Sequence, residues 1–148
     1  MTPAARIGAA IGILDRVLAG TAAEQALTGW ARGSRFAGSG DRAAVRDHVF
    51  DALRCLRSCT ALGGGAASGR SLMIGLLRAS GADPATIFTG EGYAPAPLTA
   101  EDGPAVAPPS RWAALDCPDW LGPVLERALG GDTNAILARM RARAPAIL

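Results

Sequence analysis

The chain contains no lysine, so all 15 of its lysine-plus-arginine side chains are arginines. A GC-rich genome, which favours arginine codons, explains the absence of lysine but not where the arginines lie. Residues 1–81 hold ten arginines and five acids, whereas residues 82–132 hold two arginines and eight acids. Because a guanidinium binds phosphate and carboxylate oxygens in a planar fork, we expect anionic partners to bind the first half of the chain.

Long apolar runs and aromatic residues are also scarce. No run approaches the roughly 20 apolar residues of a membrane-spanning helix, so we expect no membrane partner. Aromatic residues make up 5% of a chain whose hydrophobic content is 49%, a balance that favours packed helices over a sandwich or barrel. Cys55, Cys59 and Cys117 are an odd number and lack metal-ligand spacing. We therefore expect reduced thiols in a cytoplasmic protein.

Little in the sequence is suited to catalysis. His48 is the only histidine, and although Asp47 and Asp51 flank it, it lacks oxyanion donors and a third orienting group. A histidine at the surface or at the edge of the core is expected instead. Residues 63–70 are glycine-rich like a phosphate loop, but they lack its Lys-Ser/Thr ending and follow a helix. We expect no catalytic residue, no cofactor-binding residue and no metal ligand.

Apolar residues recur at helical spacing, and glycines and prolines interrupt them. This pattern predicts an all-α orthogonal bundle of about seven helices in one domain, residues 1–148. Residues 90–110, which include five prolines, are expected to form a long exposed loop. The expected helices are 4–18, 21–32, 39–62, 70–79, 83–89, 116–129 and 133–143, with one helical turn at 111–115.

Several side chains have expected structural roles. Thr21 starts a capping-box pattern before the second helix, and Asp132 is positioned to cap the last one. Asp83 followed by Pro84 is typical of a helix start. The tryptophans expected in the core are Trp30, Trp112 and Trp120.

Six arginines form the candidate functional surface. Four of them fall within about a third of a turn on a helical wheel of the third helix, and two precede that helix. Together they would make a basic surface that binds phosphates; alternatively, some of them pair with acids and are structural. The six are Arg32, Arg35, Arg42, Arg46, Arg54 and Arg57.

The third helix resembles the DR…V…V…LR helix of NusB-like domains; its residues 40–54 are Gly-Asp-Arg-Ala-Ala-Val-Arg-Asp-His-Val-Phe-Asp-Ala-Leu-Arg. More specifically, the chain is similar to the N-terminal domain of the bacterial RsmB/NOP/Sun family of rRNA cytosine-C5 methyltransferases. The resemblance covers nearly the whole chain. It also includes Thr2–Arg6, Ala10–Asp15, Phe88–Leu98 and Pro118–Leu121.

This resemblance implies a NusB-like RNA-binding accessory domain. In the family, this domain precedes a catalytic domain that binds S-adenosylmethionine and carries two catalytic cysteines. The present sequence lacks the glycine-rich cofactor motif, and Cys117-Pro118 reverses the order of the family's Pro-Cys motif. The chain alone is therefore expected to be non-catalytic and to bind no S-adenosylmethionine, and a linker is expected to begin near residues 141–148. Its implied role is to hold 16S rRNA through the six arginines while its own C-terminal catalytic domain methylates a cytosine.

Two other functions stay open. One is a stand-alone NusB-like module of transcription antitermination, which binds RNA together with a protein partner and offers residues 90–110 as a docking element. The other is an intramolecular scaffold that packs on the catalytic domain without contacting RNA. The scaffold function predicts an exposed apolar patch on the isolated domain.

Overall fold

The computed structural model describes residues 1–108 and 110–145. These residues form seven α-helices of seven residues or more, one single-turn helix and three short 3₁₀ helices, without a strand. The predicted all-α class and number of helices are confirmed. Pro109 and the last three residues of the expected linker lie outside the described residues. The α-helices are α1 (Pro3–Leu18), α2 (Ala23–Gly33), α3 (Ser39–Arg54), α4 (Leu56–Leu62), α5 (Gly69–Ala79), α6 (Arg111–Ala114), α7 (Gly122–Leu129) and α8 (Thr133–Met140).

The main core lies where α1, α3, α4 and α5 pack together, and α2 covers one side of it. Each of these helices presents a stripe of apolar residues at helical spacing, such as Ile7, Ala10 and Leu14 on α1. Phe88, which follows α5, is buried in the same core. Burying a side chain of this size contributes about 2 kcal/mol, so the stripes predicted from the sequence account for how these helices associate.

Two glycines, Gly63 at the end of α4 and Gly75 within α5, allow these helices to pack closely. A Cβ atom on Gly75 would lie 1.9 Å from the carbonyl oxygen of Cys59, and one on Gly63 would lie 2.0 Å from that of Ser71. The backbones of α4 and α5 can approach this closely only because both positions lack a side chain. The backbone N–H of Gly69 donates to Asp15 on α1 at 2.7 Å, which further fixes the start of α5.

The expected single helix over residues 39–62 is wrong, because the structure divides it at Cys55. This residue has φ −112° and ψ 33°, outside the helical range, and α4 begins at the next residue. The interruption leaves the backbone N–H of Ser58, in the first turn of α4, without a partner within its helix. Asp116 accepts this N–H at 2.8 Å, so a tertiary contact stabilises the break.

Three expected helix starts are also corrected. The helix expected from Asp116 begins at Gly122, because Asp116 has a left-handed φ of 55° and interrupts the helical path. Thr21 does not cap α2, whose N-cap is Ala22, and Asp132 makes no side-chain capping bond to α8. Asp83 does accept the N–H of Ala85, but the helix that it caps is a 3₁₀ turn of three residues.

The proline-rich segment is attached to α5 by two arginines. Arg70 donates to both oxygens of Asp102 and to the carbonyls of Ala96 and Pro97, while Arg78 donates to the carbonyl of Gly103 at 3.0 Å. The expected loop is therefore exposed along much of its length but bound to the bundle.

The tryptophans differ in their burial. Trp30 and Trp112 are half-buried, whereas Trp120 is 75% exposed. The expectation of a core position is wrong for Trp120, which lies in the turn between α6 and α7 and not on the buried side of a helix.

Candidate functional site

The structure divides the six candidate arginines into two groups. Arg54 forms an ion pair with Asp51, and Arg57 donates to the carbonyl of Cys117 and to Asp119. Both guanidinium groups are half-buried. Arg57 holds the start of α4 to the segment between α6 and α7, whereas Arg54 pairs within α3, so a structural role accounts for the charge of both.

The other four arginines are exposed. Arg32 lies in the last turn of α2, Arg35 in the loop that follows, and Arg42 and Arg46 in the first half of α3. Within residues 1–108 and 110–145, no carboxylate forms an ion pair with Arg32, Arg35 or Arg42, and Arg46 reaches only Asp47, at 3.5 Å. These four guanidinium groups are therefore available to an anionic ligand.

Arg42 and Arg46 line a groove between α2 and α3, which we call the arginine groove. Its volume is about 320 Å³. The Nε of Arg42 donates to the carbonyl of Ala37 at 3.0 Å, which orients the guanidinium while its two terminal nitrogens have no hydrogen-bond partner among the described residues. Arg32 lies one helical turn beyond Thr28 on the same face of α2. The lining residues are Glu24, Leu27, Thr28, Trp30, Ala31, Ser39, Arg42, Ala43 and Arg46.

Two carboxylates lie near this groove, but only one is unpaired among the described residues. Glu24 lines the groove and is exposed. Asp41 accepts hydrogen bonds from the α-amino group of Met1 and from Nε of Arg6, at 3.2 and 2.9 Å. The amino group, followed by Arg6, lowers the pKa of Asp41. Because the α-amino group of Met1 and the guanidinium of Arg6 balance the charge of Asp41, Glu24 is the main carboxylate that opposes the arginines of the groove.

A second, apolar groove of about 600 Å³ lies on the other side of Trp30, between α1 and the loops that carry Phe36 and Tyr93; we call it the aromatic groove. Phe36 is 75% exposed and Tyr93 is 89% exposed. Neither residue was among the sequence candidates, although Phe36 directly follows Arg35 in a polar loop, which is a signal for an exposed aromatic. The lining residues are Met1, Thr2, Ala5, Gly8, Ala9, Trp30, Phe36 and Tyr93.

The titratable groups elsewhere do not form a reactive centre. His48 is half-buried, and this burial lowers the pKa of its imidazole. Asp47 and Asp51, expected as its possible orienting groups, pair with arginines instead. The three cysteines are free, and burial raises the pKa of the Cys59 thiol to about 12. In the part of the chain that the structure describes, no three histidine, cysteine or acidic side chains converge as metal ligands.

The fold and the two grooves define an all-α bundle with a basic and aromatic surface formed by α1, α2, the start of α3 and adjoining loops. Comparison of the chain with protein-family models, with curated proteins and with solved structures finds no match. Among the described residues, no helix combines the length and apolar character needed to cross a membrane.

Proposed function

We propose that this chain is a non-catalytic RNA-recognition domain, and that it serves a cytoplasmic, S-adenosylmethionine-dependent enzyme that methylates a cytosine of 16S rRNA. The observation that carries the RNA-binding part is the exposure of Arg32, Arg35, Arg42 and Arg46 without strong acidic partners. The methyltransferase part rests on the resemblance of residues 40–54 to a NusB-like helix and of the chain to the N-terminal domain of that enzyme family.

The position of the arginines suits a phosphate backbone. Arg42 and Arg46 are four residues apart on one helix, so their Cβ atoms lie about 5–6 Å apart on the same face. Arg32 and Arg35 extend this basic surface from the end of α2 into the next loop. Because several guanidinium groups bind successive phosphates and release counterions, the surface is suited to RNA in a sequence-independent manner.

The accessory role has support in the C-terminal helices. α7 and α8 carry large apolar side chains at the surface, and exposed apolar patches commonly mark interfaces. The proposed occupant of this face is the catalytic domain of the same enzyme, which would bind S-adenosylmethionine and carry out the chemistry. The exposed side chains, together with Trp120 of the preceding turn, are Val124, Leu129, Ile136 and Met140.

Charge reversal of the groove tests RNA binding. Arg42→Glu together with Arg46→Glu should weaken binding to a 16S rRNA fragment, measured by fluorescence anisotropy across a salt series. The slope of log K against log salt should become shallower by about 0.7–0.9 for each lost phosphate contact. Arg127→Glu on α7, which also changes an exposed arginine, is the matched control and should bind normally. Equal affinity and slope in a folded double variant would remove the proposal.

A second candidate is a stand-alone NusB-like antitermination module that binds RNA with a protein partner. Two exposed prolines in this segment, Pro97 and Pro104, favour it, because an exposed proline-rich segment can dock a partner protein. The mass of the native polypeptide separates the two candidates. A native polypeptide far heavier than 15.0 kDa supports the methyltransferase, provided that deleting residues 1–148 abolishes cytosine methylation of 16S rRNA. A native polypeptide of 15.0 kDa that binds a stable protein partner supports the antitermination module.

A further inference from the structure

The two grooves share one side chain. Trp30 lines both the arginine groove and the aromatic groove. A ligand that extends from one groove into the other would therefore pass Trp30, with guanidinium groups at one end and the rings of Phe36 and Tyr93 at the other. This continuity is the basis of the inference.

Backbone contacts fix the loops that carry the two exposed rings. The loop of Phe36 is closed by a hydrogen bond of 3.0 Å from the N–H of Ala37 to the carbonyl of Ser34, and these two flanking residues are buried. The turn of Tyr93 is closed by the N–H of Gly90, which donates to the carbonyl of Pro95 at 2.9 Å. The carbonyl of Tyr93 also approaches α1 so closely that a Cβ on Gly8 would lie 3.3 Å from it.

We propose that unpaired nucleotides of RNA bind across the two grooves, with bases stacked on Phe36 and Tyr93 and phosphates bound by Arg42 and Arg46. This inference rests on the proposed RNA binding and names the form of RNA that the surface selects. A base offers a flat apolar face to an aromatic ring, and its phosphate carries the charge that the arginines complement. An apolar peptide would fill the aromatic groove but would leave the adjacent guanidinium groups without a counter-charge.

The unpaired state of the nucleotides follows from geometry. In an RNA duplex the faces of the bases are stacked on one another, so aromatic side chains reach them only in loops, bulges and single strands. Both rings are largely exposed, which leaves room for a base on each. The surface is therefore expected to prefer single-stranded RNA over duplex RNA of the same length.

The test compares an oligouridine of about 12 nucleotides, within the range of known single-strand sites, with an abasic strand of the same length and charge and with an RNA duplex. Binding to the full chain is measured by fluorescence anisotropy at one salt concentration. Phe36→Ala and Tyr93→Ala should each lower affinity for oligouridine by about tenfold and should leave the abasic strand unaffected. Tyr93→Phe should retain affinity, and Trp120→Ala, which removes an equally exposed ring outside both grooves, should do so as well.

The outcomes with the arginine and aromatic variants distinguish this inference from the proposed function. If the arginine double variant loses affinity for both strands while the aromatic variants bind oligouridine as tightly as the parent chain, RNA binding stands and base stacking is wrong. If the aromatic variants weaken oligouridine and the abasic strand equally, stacking is again wrong. If the arginine variants also bind both strands normally, the proposed function is overturned as well. Thermal unfolding of each variant confirms that the fold is retained.

Discussion

The carboxylate of Asp116 accepts two hydrogen bonds from Ser58, one from the backbone N–H and one from the hydroxyl, each 2.8 Å long. Arg141 completes the contact, since its Nε donates to the same carboxylate at 2.7 Å. The side chain of Asp116 is only 4% exposed. One carboxylate thus caps α4 and joins the end of α8 to the point where α3 stops.

Removing this carboxylate should destabilise the protein. Asp116→Ala leaves the N–H of Ser58 and the guanidinium of Arg141 without their acceptor, and disrupting a buried ion pair costs about 3 kcal/mol. Asp116→Asn should cost less, because asparagine tolerates the left-handed backbone and keeps one acceptor oxygen. The free energy of unfolding in urea measures both. Asp132→Asn, an exposed acid without a capping bond, is the control; an equally small effect of all three changes would contradict this account of Asp116.

Two helical glycines should respond to alanine in opposite directions. Gly75→Ala places a Cβ 1.9 Å from the carbonyl oxygen of Cys59, so α4 and α5 must separate at a cost of about 3 kcal/mol. Gly12 is exposed on α1, and a Cβ added there would meet no atom within 4 Å outside the local helix backbone. Gly12→Ala should therefore stabilise the fold by about 0.5–1 kcal/mol through helix propensity. Parallel thermal and urea unfolding of the two variants measures the contrast. A stable Gly75→Ala variant would show that the close approach of the two helices is not required.

The ion pair between Arg70 and Asp102 predicts a defined acid sensitivity. Hydrogen bonding by Arg70 lowers the pKa of Asp102 from 3.8 to about 2. Because the folded-state pKa is the lower one, the pair stabilises the fold fully above pH 3.8, and this contribution is lost as the pH falls towards about 2. The difference in unfolding free energy between the parent chain and Asp102→Asn should shrink over that interval. If the unfolding free energies of the two proteins depend on pH in the same way, this account of the ion pair is contradicted. In a separate NMR titration, Arg70→Gln should raise the pKa of Asp102.

Neutralising Glu24 should strengthen RNA binding. Glu24 lines the arginine groove, and a unit charge about 4 Å from a phosphate contributes about 1 kcal/mol of repulsion in water. Glu24→Gln is therefore expected to raise affinity by up to about fivefold at low salt, with the gain declining as salt screens the charge. Glu101→Gln, which neutralises an exposed acid outside the groove, should bind like the parent chain. If both variants gain equally, net charge and not the groove governs binding.

The cysteines should react slowly in the native protein. Cys59 and Cys117 are buried, Cys55 is half-buried, and burial raises the pKa of Cys55 and Cys59. Because the thiolate is the reactive form, a disulfide reagent at mildly alkaline pH should modify at most Cys55 at an appreciable rate. All three thiols should react at once in guanidinium chloride. Rapid reaction of three thiols in the native protein would contradict the observed burial.

The sequence by itself determined the class of fold and most of its helices. The apolar stripes of α1, α3 and α5 recur every three or four residues, and a glycine follows shortly after the end of α1 and of α5. Both signals act within a few residues, and they are therefore legible without tertiary information. The sequence also indicated where positive charge is concentrated, and four of its six candidate arginines are indeed exposed.

Only the tertiary structure decided how these arginines are used. Arg57 has the same charge as Arg42 and Arg46, but its acceptors, Cys117 and Asp119, lie about 60 residues away. The division at Cys55 depends in the same way on Asp116, 58 residues from Ser58. Phe36 and Tyr93 meet at one groove only because their loops converge on α1. Contacts between distant residues leave no periodic signal in the sequence, so the folded chain alone separates structural arginines from those available to a ligand.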